Sequence, residues 1–302
     1  MKGNTQRWIG TGAMGVLLAL GSTAIFAQNT QNNPNNQNTQ NPPAQQQQQP
    51  DNKQNNSGTL TNSTGLTMDA APPPVSAEED AAFKAYSAIP ITDSDKKISA
   101  GEDFLKKYPE SRYRPPIYAN LTIMYVQTGQ AEKAMDAGDK EVQLQPNDVA
   151  TLAILCQTIP RTINSSTANP NDLLAKAETY GKRALDVTPT LPKPETVSDA
   201  DFTSVKNRTM AMAHGGLGLV DIRRGKFSEA VPELEQSVKL VPDPDPVNYY
   251  LLGVANQNTS RFDDAQTAYK KCAEIPSGLQ QRCQQSADEA KKQGGSQMSA
   301  PH

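Results

Sequence analysis

Few side chains in this 302-residue sequence are suited to chemistry. His214 and His302 are its only histidines. His214 opens the run His214-Gly215-Gly216-Leu217-Gly218, which can be read as an oxyanion-type glycine turn or a phosphate loop. Such turns follow a strand or sit in a Gly-x-Ser-x-Gly elbow, and no strand-like run or elbow is present here. Three glycines in a helix cost about 1 kcal/mol each against alanine. Close helix packing or local groove shape is the reason the run favours. No His/Cys/Asp/Glu set has zinc-ligand spacing and no Asp-rich loop matches a calcium hand, so neither a metal nor a cofactor is expected. Glu78-Glu79-Asp80 and Asp263-Asp264 fall at helix starts, where the helix dipole favours acids. They read as capping charge, and no catalytic residue is expected.

Three cysteines remain. Cys272 and Cys283 flank Ala273–Arg282. If that stretch is a helix–turn–helix, they lie on facing helices at similar distances from the turn and can pair in an oxidising compartment. The other reading is two small buried residues. Cys156 sits at a small-residue position of a helix and is expected to be a buried free thiol.

The beginning of the sequence carries a different signal. Lys2 and Arg7 precede an apolar run from Ile9 to Phe26, and Ala27 offers a cut before Gln28. That is the pattern of a signal peptide over residues 1–27, which predicts a periplasmic or extracellular protein. A retained anchor is the alternative, since the run is about long enough to span a bilayer. Gly10, Gly12, Gly15, Gly21, Thr11, Ser22 and Thr23 weaken that reading. No cysteine lies near the cut, so no lipid anchor is expected. Cleavage removes two bases and no acid, taking the net charge from −3 to −5. No basic stripe for nucleic acid results. Residues 28–75, rich in Gln, Asn and Pro, hold almost no apolar side chains before Leu60 and read as a disordered tether. Gln/Asn tracts can also associate as β-structure. Asn62 begins an Asn-Ser-Thr glycosylation acceptor, relevant only in a eukaryotic secretory route.

These few residues must be positioned by the elements of residues 76–293. There the sequence repeats. Gly129–Ala134 (GQAEKA), Gly225–Ala230 (GKFSEA) and Ser260–Ala265 (SRFDDA) share a turn residue, a linker and an acid-bearing helix start ending on alanine. Upstream lie Tyr118, Leu121, Thr122 and Tyr125 before Gly129, and His214, Leu217, Gly218 and Asp221 before Gly225. Tyr249, Leu252, Gly253 and Asn256 come before Ser260. Downstream runs close at Pro146, Pro242 and Pro276. A further copy is split by a loop over PRTINSSTANPND, with Leu152, Leu155 and Cys156 before it and Ala177, Ala184 and Pro189 after it. A weaker pair covers Glu78 to Pro109. Ser198, with Asp201 three residues on, is placed to cap an unusually long helix.

These stretches resemble tetratricopeptide repeats, units of about 34 residues made of two antiparallel helices. The resemblance implies an all-α solenoid of five helix pairs. A polar helix over GLQQRCQQSADEAKKQ would cap it, and residues 294–302 would form a frayed tail. Small residues would act as spacers at helix crossings, Gly218, Gly253, Ala230 and Ala265 among them. Asn256 departs from the pattern's tyrosine, and Gly138 and Glu141 depart from its second helix. In that family the first helix of each pair lines a groove for a peptide or partner segment. Carried over, this places Ala119, Ile123, Val126, Gln157, Met212, Gly215, Leu219, Tyr250, Val254 and Gln257 at the groove. The Lys and Asn set that grips C-terminal carboxylates in one subgroup is missing. FLKKYPESRY resembles unit ends of envelope-assembly repeat proteins. The expected function is a non-catalytic, exported scaffold that binds other proteins by preformed shape, in the periplasm or at the envelope. Two alternatives stay open. One is an envelope-assembly or cell-wall accessory factor whose Gln/Asn-rich segment does the binding. The other is a cell-wall hydrolase, which would need convergent titratable groups.

Overall fold

A computed structural model describes residues 76–298. The expected signal peptide, the tether and the end of the tail lie outside the described residues. Eleven α-helices and no strand occur among the described residues. They are α1 (Ala77–Ser87), α2 (Ser94–Lys107), α3 (Arg114–Gln127), α4 (Ala131–Leu144), α5 (Val149–Thr162) and α6 (Pro170–Val187). After a 3-10 turn at Thr188–Thr190 come α7 (Asp199–Arg223), α8 (Phe227–Lys239), α9 (Pro246–Asn258), α10 (Phe262–Glu274) and α11 (Gln280–Met298). No helix among the described residues is long and apolar enough to cross a membrane.

Local signals set the helix ends. Ser76 Oγ accepts from Glu79 N at 3.1 Å and Ser198 Oγ from Asp201 N at 3.1 Å, each satisfying a donor that the first turn leaves free. Gly129 and Gly225 both stand at φ +74°, and Ser260 at +60°. At each of these turns the chain closes with the same bond: Gln130 N to Tyr125 O at 2.8 Å, Lys226 N to Asp221 O at 2.9 Å, and Arg261 N to Asn256 O at 2.9 Å. A left-handed residue after the helix permits this closure.

Each helix packs on the next, giving five antiparallel pairs from α1–α2 to α9–α10, with α11 packed on α10. The odd-numbered helices also touch each other, α3 with α5, α5 with α7 and α7 with α9. They form a continuous inner layer. The repeated alanine position on the second helix is buried in every pair, as Ala134, Ala177, Ala230, Ala265 and, in the first pair, Lys97. Lys97 is tolerated because its Nζ donates to Tyr86 O at 3.0 Å and Ile89 O at 2.8 Å, where α1 ends. Burial pushes its ammonium below the usual lysine value.

Glycines set how closely the helices approach, and they change side along the array. In the first three pairs the gap is on the second helix. A Cβ on Gly101 would come within 3.2 Å of Leu121, on Gly138 within 2.7 Å of Leu155, and on Gly181 within 2.9 Å of Leu217. Each leucine belongs to the next pair. In the last two pairs the gap is on the first helix, and the large side chain belongs to the same pair: Gly218 faces Leu234 and Gly253 faces Tyr269, both within 2.5 Å of an added Cβ.

Some expectations need correction. The stretch PRTINSSTANPND is not all loop, because α5 continues through Pro160 to Thr162. A helix starting near Ser228 would put Pro232 at about the end of its first turn, but α8 starts at Phe227 and Pro232 lies beyond that turn. It therefore removes one intrahelical bond. The expected tail at residues 294–302 is helical as far as Met298. Gly294 packs within 3.2 Å of Phe262 Cβ as judged from an added Cβ, so α11 leans on α10 where a frayed end was expected.

Candidate interaction surface

The run His214 to Gly218 lies inside α7, not in a loop. Gly215, Gly216 and Gly218 are buried and face Asn248, Cys156 and Leu234 respectively. An added Cβ on Gly216 would stand 2.5 Å from Cys156 Sγ and 2.8 Å from the Cys156 carbonyl carbon, so it meets backbone as well as side chain. Pro160, four residues after Cys156, has no N–H to give that carbonyl. So α5 and α7 cross at very close range. His214 Nδ1 stands 2.7 Å from Glu233 Oε2, tying α7 to α8. Among the described residues no group of three or more His, Cys, Asp or Glu could hold a metal.

All ten groove residues lie on the inner layer: Ala119, Ile123 and Val126 on α3, Gln157 on α5, Met212, Gly215 and Leu219 on α7, and Tyr250, Val254 and Gln257 on α9. They divide into three groups. Ala119, Ile123, Val126, Gln157 and Met212 are half-buried and keep an open face. Gly215 and Leu219 are buried between helices and offer nothing to a ligand. Gly215 is small because Asn248 Oδ1 would be 2.8 Å from its Cβ. Asn248 in turn donates to Ser237 Oγ at 2.7 Å, and Ser237 donates to Ala211 O at 2.7 Å, so this chain of bonds ties α9, α8 and α7 together.

The α9 residues are engaged by the chain's own end. Val254 and Tyr250 pack on Ala287 and Ala290 of α11. Tyr250 Oη accepts from Arg282 Nε at 2.7 Å, and its ring lies 5.6 Å from that of Tyr269. Gln257 accepts from Tyr269 Oη at 2.8 Å and donates to Gln293 at 2.9 Å. Cys272 of α10 and Cys283 of α11 are bonded as a disulfide, with Cα atoms 5.8 Å apart, which fixes the cap. Cys156 is free and buried, and burial pushes its thiol well above the usual cysteine range.

Two features are not visible in the repeat pattern. Arg161 at the end of α5 reaches across α7 to Asp245, the N-cap of α9, at 3.8 Å, a contact between pairs that no local spacing reveals. A cleft of about 220 Å³ opens between α8 and α10, floored by Leu252 and Asn256. The departure of Asn256 from the pattern was its only sequence signal.

The family model described as tetratricopeptide repeat matches residues 247–277, which are α9 and α10. No curated protein matches the chain. Among solved structures, TTC0263, a thermophilic TPR protein of Thermus thermophilus, is 19% identical. The match covers 70% of this chain and 95% of that one at a TM-score of 0.45. PilW, a type IV pilus biogenesis factor, is 14% identical, covering 76% and 97% at 0.46. MamA of Desulfovibrio magneticus RS-1 is 15% identical, covering 66% and 95% at 0.41. The unit at residues 247–277 is thus matched as a tetratricopeptide repeat, and four further antiparallel helix pairs are stacked ahead of it.

Proposed function

We propose that this protein is an exported, non-catalytic scaffold that holds a segment of another protein on its inner layer in the cell envelope. The observation that carries the reading is the half-open strip Ile123, Val126, Gln157 and Met212 along three consecutive inner helices. It combines apolar surface with an amide and is preformed by buried glycine contacts. Such a strip suits an apolar helix or extended segment. Binding there requires no ordering of the scaffold, which lowers the cost of association. The Cys272–Cys283 disulfide supports placement in an oxidising compartment. The amino-terminal pattern of residues 1–27 supports export.

The test is capture of a partner by the full protein, by a form lacking residues 28–74, and by the variants Ile123→Glu and Met212→Glu. Both positions are half-exposed, so the folded array should tolerate the charge. The expected result is that the deletion keeps the partner while each glutamate weakens binding at least about tenfold. Loss of capture on deletion, with the glutamate variants unaffected, would move the binding function to the Gln/Asn-rich segment.

A further inference from the structure

The cleft between α8 and α10 has a filled counterpart elsewhere in the same chain. The helix ends give the correspondence, because the closing bond from Gln130 N to Tyr125 O recurs from Arg261 N to Asn256 O. Asn256 therefore stands where Tyr125 stands. The surroundings agree. Tyr118 lies under Lys140, with Nζ 5.9 Å from the ring centroid, and Tyr249 lies under Lys271 at 5.7 Å. Counting back from the closing prolines Pro109 and Pro242, Glu102 coincides with Glu235.

In the earlier pair Tyr125 is buried, and its hydroxyl donates to Glu102 Oε1 at 2.5 Å. In the last pair the asparagine is too short to do this. Asn256 is only 2% exposed, and its Oδ1 has no hydrogen-bond partner among the described residues. Glu235 at the rim likewise has no hydrogen-bond or ion-pair partner among them. Lys133, which joins Glu102 at 3.0 Å, is replaced by Asp264, and that carboxylate is taken by Arg261 at 2.8 Å. The junction of the last two pairs thus keeps the acceptor and the apolar floor of a tyrosine site but lacks the tyrosine. Glu235 is a charged acceptor with no other partner among the described residues, so the site favours a ligand whose hydroxyl can donate to it.

We propose that this cleft is a socket for a tyrosine side chain of a partner protein. The ring seats against Leu252 and Ala268, and the hydroxyl donates to Glu235, as Tyr125 does to Glu102. The chain cannot supply the residue itself. All nine of its tyrosines lie between positions 86 and 269, and none of them is exposed, so neither a terminal segment nor a second copy offers one. The socket lies between α8 and α10 over the α9 floor, shares no residue with the strip Ile123, Val126, Gln157 and Met212, and stands apart from the inner-layer proposal.

The test titrates the 15N-labelled full chain with N-acetyltyrosine amide and with N-acetylphenylalanine amide. The side-chain amide resonance of Asn256 is followed, assigned by its loss in Asn256→Tyr. The tyrosine amide should give a saturating shift with Kd on the order of 1–10 mM. The phenylalanine amide should bind at least about fivefold more weakly, because it leaves the acceptors unpaired. Asn256→Tyr, followed through the backbone amide of Ala268 because its own side-chain reporter is gone, should abolish binding by filling its own socket, with no loss of thermal stability. Glu235→Gln should bring the tyrosine amide close to the phenylalanine value, because a hydrogen bond to a charged acceptor is lost. No saturable shift at Asn256, equal affinity for the two amides, or binding retained by Asn256→Tyr would each overturn the proposal. Should Asn256→Tyr fold poorly, the two ligands and Glu235→Gln still decide.

Discussion

Gly216 shows how little room a single position leaves. Alanine normally gains about 1 kcal/mol over glycine inside a helix. Here the added methyl would meet the Cys156 backbone at 2.8 and 2.9 Å, and backbone cannot swing aside. Gly216→Ala should therefore lower Tm by roughly 4–10 °C despite its better helix propensity, measured by circular dichroism. Glu141 makes a different case. It is fully buried at the second spacer position of α4, and neither carboxyl oxygen has a hydrogen-bond partner among the described residues. Burial, and then the Asp148 carboxylate, push it up to about 9. The folded state thus keeps a proton that the unfolded chain releases near the ordinary value of 4.5. Stability from this group is complete below that value and drains away as pH rises toward 9. Glu141→Gln should flatten the decline and add roughly 2–3 kcal/mol at pH 8. Denaturant melts at pH 5 and pH 8 check this. Glu141 was visible as a departure from the repeat pattern, and Gly216 as one of three costly glycines in a helical run. What each departure touches depends on neighbours in another pair, which no single window of sequence contains.

At the scale of the helix, the pairs were legible because small residues and closing prolines recur at fixed intervals. Ser198 also marked the start of a 25-residue α7. The inner-layer positions were legible as a face but not as a free face. Tyr250, Val254 and Gln257 are covered by α11, a helix outside the repeat pattern, and Gly215 and Leu219 are spent on contacts within the array. The spacing of Cys272 and Cys283 left their pairing undecided, because it depends on which faces of α10 and α11 meet. In the structure they are bonded. Closing so short a loop removes unfolded-state entropy worth about 2–3 kcal/mol. Dithiothreitol should accordingly lower the melting temperature of the wild-type protein and leave a Cys272→Ser/Cys283→Ser variant unchanged. Denatured, unreduced protein should present one titratable thiol, Cys156, and reduced protein three.

The whole molecule is asymmetric along its length. The cap and the disulfide secure one end, while the inner strip that remains open lies on α3, α5 and α7. A partner on that strip and a tyrosine in the socket would engage different residues on different helices, so neither need displace the other. The glycines that change side carry a further meaning. For the first three pairs, the leucine that completes each one is encoded downstream, whereas the last two hold their own tight contact. A polypeptide that emerges amino end first must therefore leave each early unit ajar until its successor arrives. Not until Leu217 has emerged can the opening half of the molecule be sealed.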